Sequence, residues 1–281
     1  MTGSPDSTKD GPEAELPLHT LEYHWDEFDP HMLCYDTAAK EVSELDLHEV
    51  DFEVSKRKTC VGRWDDQGVY MPCPNQASVD RFVQCQGCSE KSFLPVQECV
   101  FEPQCEGERC GIEFCRREHV LYIAFFDKKR KIGMSSTRRI ERRLIEQGAD
   151  AYSIIGKFPS RLRARNAEKA VSSKYGIPQA YRQEDLLENL SRPVDVRGIE
   201  GRYDALVMTL GDEFDPEPLR WLDEYPIELP LRQAPRLKQS PGRHRGDYVG
   251  IKGKWVVFEE GGLRALNLSD FPSRSLARHV A

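Results

Sequence analysis

The chain has 281 residues, with 40 Lys/Arg against 47 Asp/Glu for a net charge of −7, and 39% of its residues are hydrophobic. No apolar run approaches the roughly 18 residues of a membrane span, and the opening MTGSPDSTKDGPEAELP lacks the apolar centre of a secretory signal. A soluble, cytoplasmic chain of one large or two to three small domains is expected, and its nine cysteines point to metal before disulfides.

Residues 1–18 are polar and predicted disordered. Residues 19–56 form an acidic β segment in which LEYHW and VDFEV alternate apolar and polar side chains. Residues 57–117 hold eight of the nine cysteines among scattered Pro and Gly, the pattern of a region stapled by metal. Residues 118–192 form a core. HVLYIAFF is a buried strand, DKKRK a turn and IGM a second short strand. RRIERRLIEQGA is a helix with Ile140, Leu144 and Ile145 inward and Gly148 as its stop. AYSIIGKF is a third strand, and SRLRARNAEKAVSSKYG a second helix with Ser160 as N-cap and Gly176 as stop. The order is β–β–α–β–α. Residues 193–281 read as a β-rich domain with strands DALVMTL, DYVGIKG and KWVVFEE, in a sheet or small barrel to which the N-terminal strands contribute. The fold class is α+β.

Charge is distributed unevenly along this order. Residues 1–53 carry 15 Asp/Glu against 2 Lys/Arg, whereas residues 127–174 carry 14 Lys/Arg against 5 Asp/Glu. A local basic face is the usual footprint of a polyanion site; a solvated helix surface is the alternative.

Cys60, Cys73, Cys85 and Cys88 form one group. The Cys-x-x-Cys at 85 and 88 lets two thiolates grip one ion, and a Gly or Pro near Cys60 and Cys73 allows the knuckle turn. Four thiolates suit a closed structural zinc site; buried thiols without metal and a redox pair are the alternatives. Cys99, Cys105, Cys110 and Cys115 form a second, looser group among turn-forming pairs. They are candidates for a second zinc, with small apolar core residues as the alternative and His119 as a substitute ligand. Cys34 is left over. A segment of this length with few large apolar residues needs such staples, because metal binding then becomes folding energy.

The order of the core, with Tyr122 on its first strand, Ile132-Gly133 on its second, Arg143 on the following helix and Glu168 in AEKAV, resembles the GIY-YIG nuclease family. Lys131 stands where that family has its second tyrosine, and the first motif reads Val-Leu-Tyr. A broader match runs through Cys-x-Gly, Pro-Cys-Pro, Gln-Cys-x-x-Cys, Tyr-x-Ala, Lys-x-Gly, Glu-Gln-Gly-Ala and GDYVGIKGKWVVF. It resembles an uncharacterised prokaryotic family with a four-cysteine zinc region fused to a GIY-YIG-like core. The resemblance implies a small three-stranded sheet with flanking helices, nucleic acid (DNA or RNA) as partner, and Mg²⁺- or Mn²⁺-dependent phosphodiester hydrolysis.

On that reading Arg143 binds phosphate bidentately, Glu168 holds Mg²⁺ or Mn²⁺, and Tyr122 orients or deprotonates water. Lys131, Arg142, Arg161 and Arg165 contact nucleic acid. Each has a plainer reading. Tyr122 is core, Glu168 pairs with Arg165 or Lys169, Lys131 is surface charge, and one of Arg142 and Arg143 is solvated. A non-catalytic zinc-stapled binder and an assembly protein with a shielding acidic N-terminus are the alternatives to a nuclease.

Overall fold

The structure is a computed structural model that describes residues 16–91, 97–109, 111–211 and 213–279. An antiparallel meander of β1 (Leu18–Asp26), β2 (Asp29–Asp36) and β3 (Glu41–Glu44) leads to β4 (Val50–Lys58). The cysteine region contributes a two-strand hairpin, β5 (Arg63–Trp64) and β6 (Tyr70–Met71), and the short helices α1 (Gln86–Ser89) and α2 (Glu113–Arg116). Then come β7 (His119–Phe126), β8 (Lys129–Ser136), α3 (Ile140–Gln147), β9 (Ala151–Phe158) and α4 (Arg161–Tyr175). Helices α5 (Gln183–Asn189) and α6 (Val196–Leu210) precede β10 (Arg220–Trp221) and β11 (Arg236–Leu237). The chain ends in β12 (Gly242–Lys252), β13 (Trp255–Glu259), β14 (Leu263–Asn267) and β15 (Arg274–Arg278).

Among the described residues these strands form a large mixed sheet, β11-β14-β13-β12-β4-β15-β1-β2-β3, a smaller sheet, β10-β9-β7-β8, and the β5–β6 hairpin. Strand β4 lies between β12 and β15, so both ends of the chain share the large sheet. The architecture is α+β. No helix among the described residues is long and apolar enough to cross a membrane.

Strand β7 is buried along its whole length, because both of its faces are covered. Val120, Tyr122, Ala124 and Phe126 face the core of the large sheet with Trp25 and Phe258. Leu121, Ile123 and Phe125 face Val171 of α4 and Ile199, Leu206 and Leu210 of α6. Period-two alternation thus decides which β7 side chains can meet a groove between the two sheets. Helix α3 packs on the first of these faces through Ile140, Leu144 and Ile145. Burying Leu144 alone contributes about 2 kcal/mol. Gly148, at φ 73°, ends α3. Ser160 caps α4 by accepting from the Arg163 N–H at 3.3 Å, and Gly176 closes it at φ 64°.

Several expectations are corrected. DALVMTL lies in α6, where Asp195 accepts from the Gly198 N–H and Ile199, Leu206 and Leu210 recur on one buried face. Tertiary packing overrides the β-rich composition there. The turn after β7 is only Asp127-Lys128, with Asp127 at φ 48°; Lys129, Arg130 and Lys131 extend β8 opposite Phe126, Phe125 and Ala124. The expected three-stranded sheet gains β10, paired with Tyr152 and Ala151. The expected disorder of residues 1–18 falls mostly on positions outside the described residues; Leu18 already begins β1.

The two sheets are joined at the β12–β13 turn. Gly253 (φ 58°) presses on the end of α3, and a Cβ there would overlap the Gly148 nitrogen. Its carbonyl accepts from the Tyr23 hydroxyl at 2.6 Å and the Trp25 indole N–H at 3.0 Å. Beside it the Lys252 ammonium pairs with Asp150, both buried. Asp150 also accepts the Asp127 N–H at 2.6 Å. Removing one partner of a buried pair leaves the other charge uncompensated. Lys252→Met is therefore expected to lower the unfolding free energy by about 3–5 kcal/mol in a denaturant titration, whereas Lys238→Met at the half-exposed Glu260 pair should change it by under about 1 kcal/mol.

Candidate functional site

Cys60, Cys73, Cys85 and Cys88 converge, with their four sulfurs all within 4.8 Å of one another. Cys73 and Cys85 are separated by 3.9 Å. A tetrahedral zinc with Zn–S bonds of about 2.3 Å requires sulfurs about 3.8 Å apart, so the set fits that ion. The turns do the placing. Gly62 (φ 73°) donates its N–H to the Cys60 sulfur at 3.4 Å, and the Cys85 N–H donates to the same sulfur at 3.2 Å. A Cβ at Gly62 would collide with the Met71 carbonyl. Burial raises the Cys60 and Cys88 thiols. At Cys73 burial also acts upward, but the N–H groups of Ala77 and Asn75, together with the neighbouring Cys60 and Cys85, outweigh it and bring the thiol down to about 7. These four residues can hold a structural zinc, with no open position for chemistry.

The second cysteine group is less complete. Cys110 lies outside the described residues. Cys105 and Cys115 are buried and Cys99 is half-buried, and Gly107 donates to the Cys105 sulfur at 3.3 Å as Gly62 does to Cys60. His119 is 1% exposed, with Nδ1 on the Arg117 carbonyl at 2.9 Å and Nε2 without a hydrogen-bond partner among the described residues. Cys34 is a core residue of β2, and burial pushes its thiol up to about 12.

Tyr122, Lys131 and Arg143 come together on the face of the small sheet that looks toward the large one. Tyr122 pairs with Gly133 and Ala124 with Lys131 across β7–β8, so Tyr122 and Lys131 project to the same side. The Tyr122 ring, 1% exposed, lies directly over Gly133, where any Cβ would overlap its hydroxyl. Glycine is required here by close approach, not by backbone angle. Gln147 donates to the Tyr122 hydroxyl at 3.4 Å. Arg143, on the exposed side of α3, lies beside that hydroxyl. Burial by the surrounding walls works against its charge, but Tyr122, Glu146 and Glu168 overcome this and raise its pKa.

Lys131 is held down to about 8, first by burial, then by repulsion from Arg143 and from Lys254 in the β12–β13 turn; Glu168 pulls the other way. Burial also lowers Lys254. Lys131 and Lys254 rest on the rings of Phe126 and Trp255, at 5.4 Å and 4.9 Å from the centroids. Neither lysine, nor Arg143, has a carboxylate ion pair among the described residues. Glu168 is buried on the inner face of α4 with Ala164 and Val171, and it pairs with Arg165 at 2.6 Å. The local pairing expected as the plainer reading of Glu168 is therefore present, alongside its pull on Arg143 and Lys131. Sequence reasoning missed Lys254 and Gln147: a lysine in a Gly-containing hairpin turn reads as solvated, and Gln147 reads as a surface residue at a helix end.

The remaining cations are not gathered in this groove. Arg142 pairs with Glu146 at 3.5 Å. Arg165 also meets Glu102 at 3.3 Å and Gln179 at 2.8 Å. Arg161, expected on a nucleic-acid backbone, is 6% exposed and donates to the carbonyls of Cys99 (2.7 Å) and Val100. It fastens the second cysteine segment to α4.

Elemental analysis of the purified chain is expected to find at least one zinc. Cys88→Ser should lower the content by one equivalent, while Cys34→Ser should leave it unchanged. Equal zinc in Cys88→Ser and wild type would contradict the ligand assignment.

No curated protein and no solved structure matches the chain. One family profile does, over residues 48–275, from just before β4 into β15. With most of its length covered, including the cysteine cluster and the groove, the chain belongs to the family described as protein of unknown function, DUF2797.

Proposed function

We propose that this protein binds nucleic acid through the groove of Lys131, Arg143 and Lys254, and that the groove hydrolyses a phosphodiester as GIY-YIG nucleases do. The observation that carries the reading is electrostatic. Lys131 is held down first by burial and then by the repulsive fields of Arg143 and Lys254, and among the described residues none of the three has a carboxylate ion pair. An anionic ester between them would relieve that repulsion. The order β8-β7-β9 with Tyr122, Gly133, Arg143 and Glu168 supports the comparison with that nuclease core. The proposed site takes a single phosphate; the strand would be followed outward by further contacts.

In this account Arg143 binds two phosphoryl oxygens bidentately, and Lys131 and Lys254 add point charges at its sides. The Gln147 amide and Arg143 both donate to the Tyr122 oxygen, which leaves its O–H to orient the attacking water. Mg²⁺ or Mn²⁺ would supply charge stabilisation on the phosphoryl oxygens. Such ions bind through one or two carboxylates plus waters and substrate oxygens, and Glu168 fits with the oxygen that Arg165 does not engage.

A second reading, binding without hydrolysis, is favoured by that same Arg165–Glu168 pair and by Lys131 at the second tyrosine position. Incubation of wild type, Glu168→Gln and Arg143→Ala with DNA and RNA in Mg²⁺, Mn²⁺ or chelator separates the readings. Hydrolysis predicts metal-dependent scission lost in both variants. Binding without scission, weakened about tenfold in Arg143→Ala, selects the binder. No binding by wild type at low salt ends both.

Affinity should also depend on pH. In metal-free buffer it is expected to fall as pH rises through about 8, where Lys131 loses its proton. Lys131→Arg should remove that step, since a guanidinium stays charged.

The second cysteine group is read as a second structural zinc site, supported by the matching Gly107 N–H to Cys105 contact. A zinc content near two per chain is expected, falling by one in Cys105→Ser; a content near one in both proteins would remove this second site.

A further inference from the structure

We propose that the cavity between the large sheet and the Cys60–Cys73 side of the metal cluster binds an unstacked nucleobase together with its phosphate. This inference rests on the nucleic-acid reading and names a second contact for it. The cavity measures about 470 Å³ and is lined by Tyr35, Arg57, Thr59, Tyr70 and Gln76, beside Cys60 and Cys73. That is the size of a small-ligand pocket, and the cysteine cluster forms part of its wall.

Three features specify the occupant. The first is an aromatic run. Tyr35 and Tyr70 are 4.9 Å apart between ring centroids, and Trp64 meets Tyr70 at 5.4 Å. Trp64 is 40% exposed on the β5–β6 hairpin, where it covers no core. The Tyr70 ring is fixed in place because its hydroxyl donates to the Val61 carbonyl at 2.9 Å. A rigid, partly exposed row of rings is what an unpaired base stacks on, whatever its identity.

The second feature is charge. Arg57, exposed at the cavity, has no ion pair among the described residues, and it can take a phosphate. On the hairpin, the Asp65 carboxylate accepts the N–H groups of Gln67 and Val69 at 2.9 Å and 2.8 Å.

The third feature is the polar edge. The Thr59 hydroxyl and the Gln76 amide line the cavity with no side-chain hydrogen bond among the described residues, ready for the donors and acceptors of a base. An apolar occupant would leave both unsatisfied. A neighbouring cavity of about 330 Å³ shares Pro72 and Cys73 and adds Arg63 and Lys91. A strand leaving the first cavity would therefore meet further cations. The same chemistry could be met by a free nucleotide or by an unpaired segment of a strand.

The test uses the full chain with its zinc retained, and reads tryptophan fluorescence on titration with thymidine monophosphate, a short oligothymidylate and a blunt duplex. Oligothymidylate is expected to quench emission, and Trp64→Leu should abolish that quenching, which assigns the signal. Tyr35→Ala and Arg57→Ala should each weaken the binding about tenfold. Gln76→Ala, at an exposed position, should weaken it severalfold. Zinc content and circular dichroism verify each variant. Quenching by the monophosphate as well identifies a pocket for free nucleotides; quenching by the oligomer alone identifies the strand.

Absence of quenching by either ligand, or unchanged affinity in Tyr35→Ala, Arg57→Ala and Gln76→Ala, overturns the proposal. Failure of the groove is separable. If only the groove reading is wrong, Arg143→Ala binds duplex like wild type while oligothymidylate still quenches. If only this proposal is wrong, Arg143-dependent duplex binding survives with no quenching.

Discussion

The structure depends on one clamp, the carbonyl of Gly253. It takes hydrogen bonds from Tyr23 and Trp25 of the first strand while its α-carbon lies against the end of α3. Without a side chain at Gly253 the β12–β13 turn reaches Gly148; with one it would be pushed away. Lys252 then meets Asp150, and Lys254 arrives close enough to repel Lys131. The groove is thus an assembly of three separated parts of the chain: a helix and two strands of the small sheet, a turn of the large sheet, and the N-terminal strand that pins the turn. Two strands, a helix and a pinned turn hold its members.

The basic middle of the chain divides into two populations. Of its 14 Lys/Arg, eight have carboxylate partners: Lys129, Arg139, Arg142, Lys157, Arg163, Arg165, Lys169 and Lys174. Much of α4 is neutralised by Glu102 and Glu106 of the cysteine region. The run of cations on that helix is therefore an internal seam, which attaches the second cysteine segment to the core. Exposed pairs of this sort contribute little stability individually, but together they orient the segment. Among the described residues the other six, Lys128, Arg130, Lys131, Arg138, Arg143 and Arg161, have no carboxylate ion pair, and of these Lys131 and Arg143 act on one another in the groove.

Much of this was legible in the sequence, for identifiable reasons. The Cys-x-x-Cys and the glycine near Cys60 encode local turns, and backbone contacts from Cys60 to Ala77 and from Val61 to Val83 bring the turns together. Ile140, Leu144 and Ile145 repeat at helical spacing, and Ser160 and Gly176 mark the ends of a helix by local hydrogen bonding. Tyr122 over Gly133 follows from strand register. What escaped was non-local. Lys254 looks like a solvated turn residue until Gly253 is seen against Gly148. Arg161 looks like a nucleic-acid contact until the Cys99 and Val100 carbonyls are found on its guanidinium. DALVMTL carries strand-forming residues, yet a cap at Asp195 and a core waiting for Ile199, Leu206 and Leu210 make it helix. In each case a distant partner, invisible in any window of the sequence, decided the outcome.

The central claim is that the three unpaired cations form a seat for a phosphoryl group. Crystals soaked in tungstate, an electron-dense oxyanion, test it most directly. The account predicts an anomalous peak enclosed by the Lys131 ammonium, the Arg143 guanidinium and the Lys254 ammonium, lost in crystals of Arg143→Ala. A groove that holds no anion while tungstate occupies other basic surfaces would contradict it.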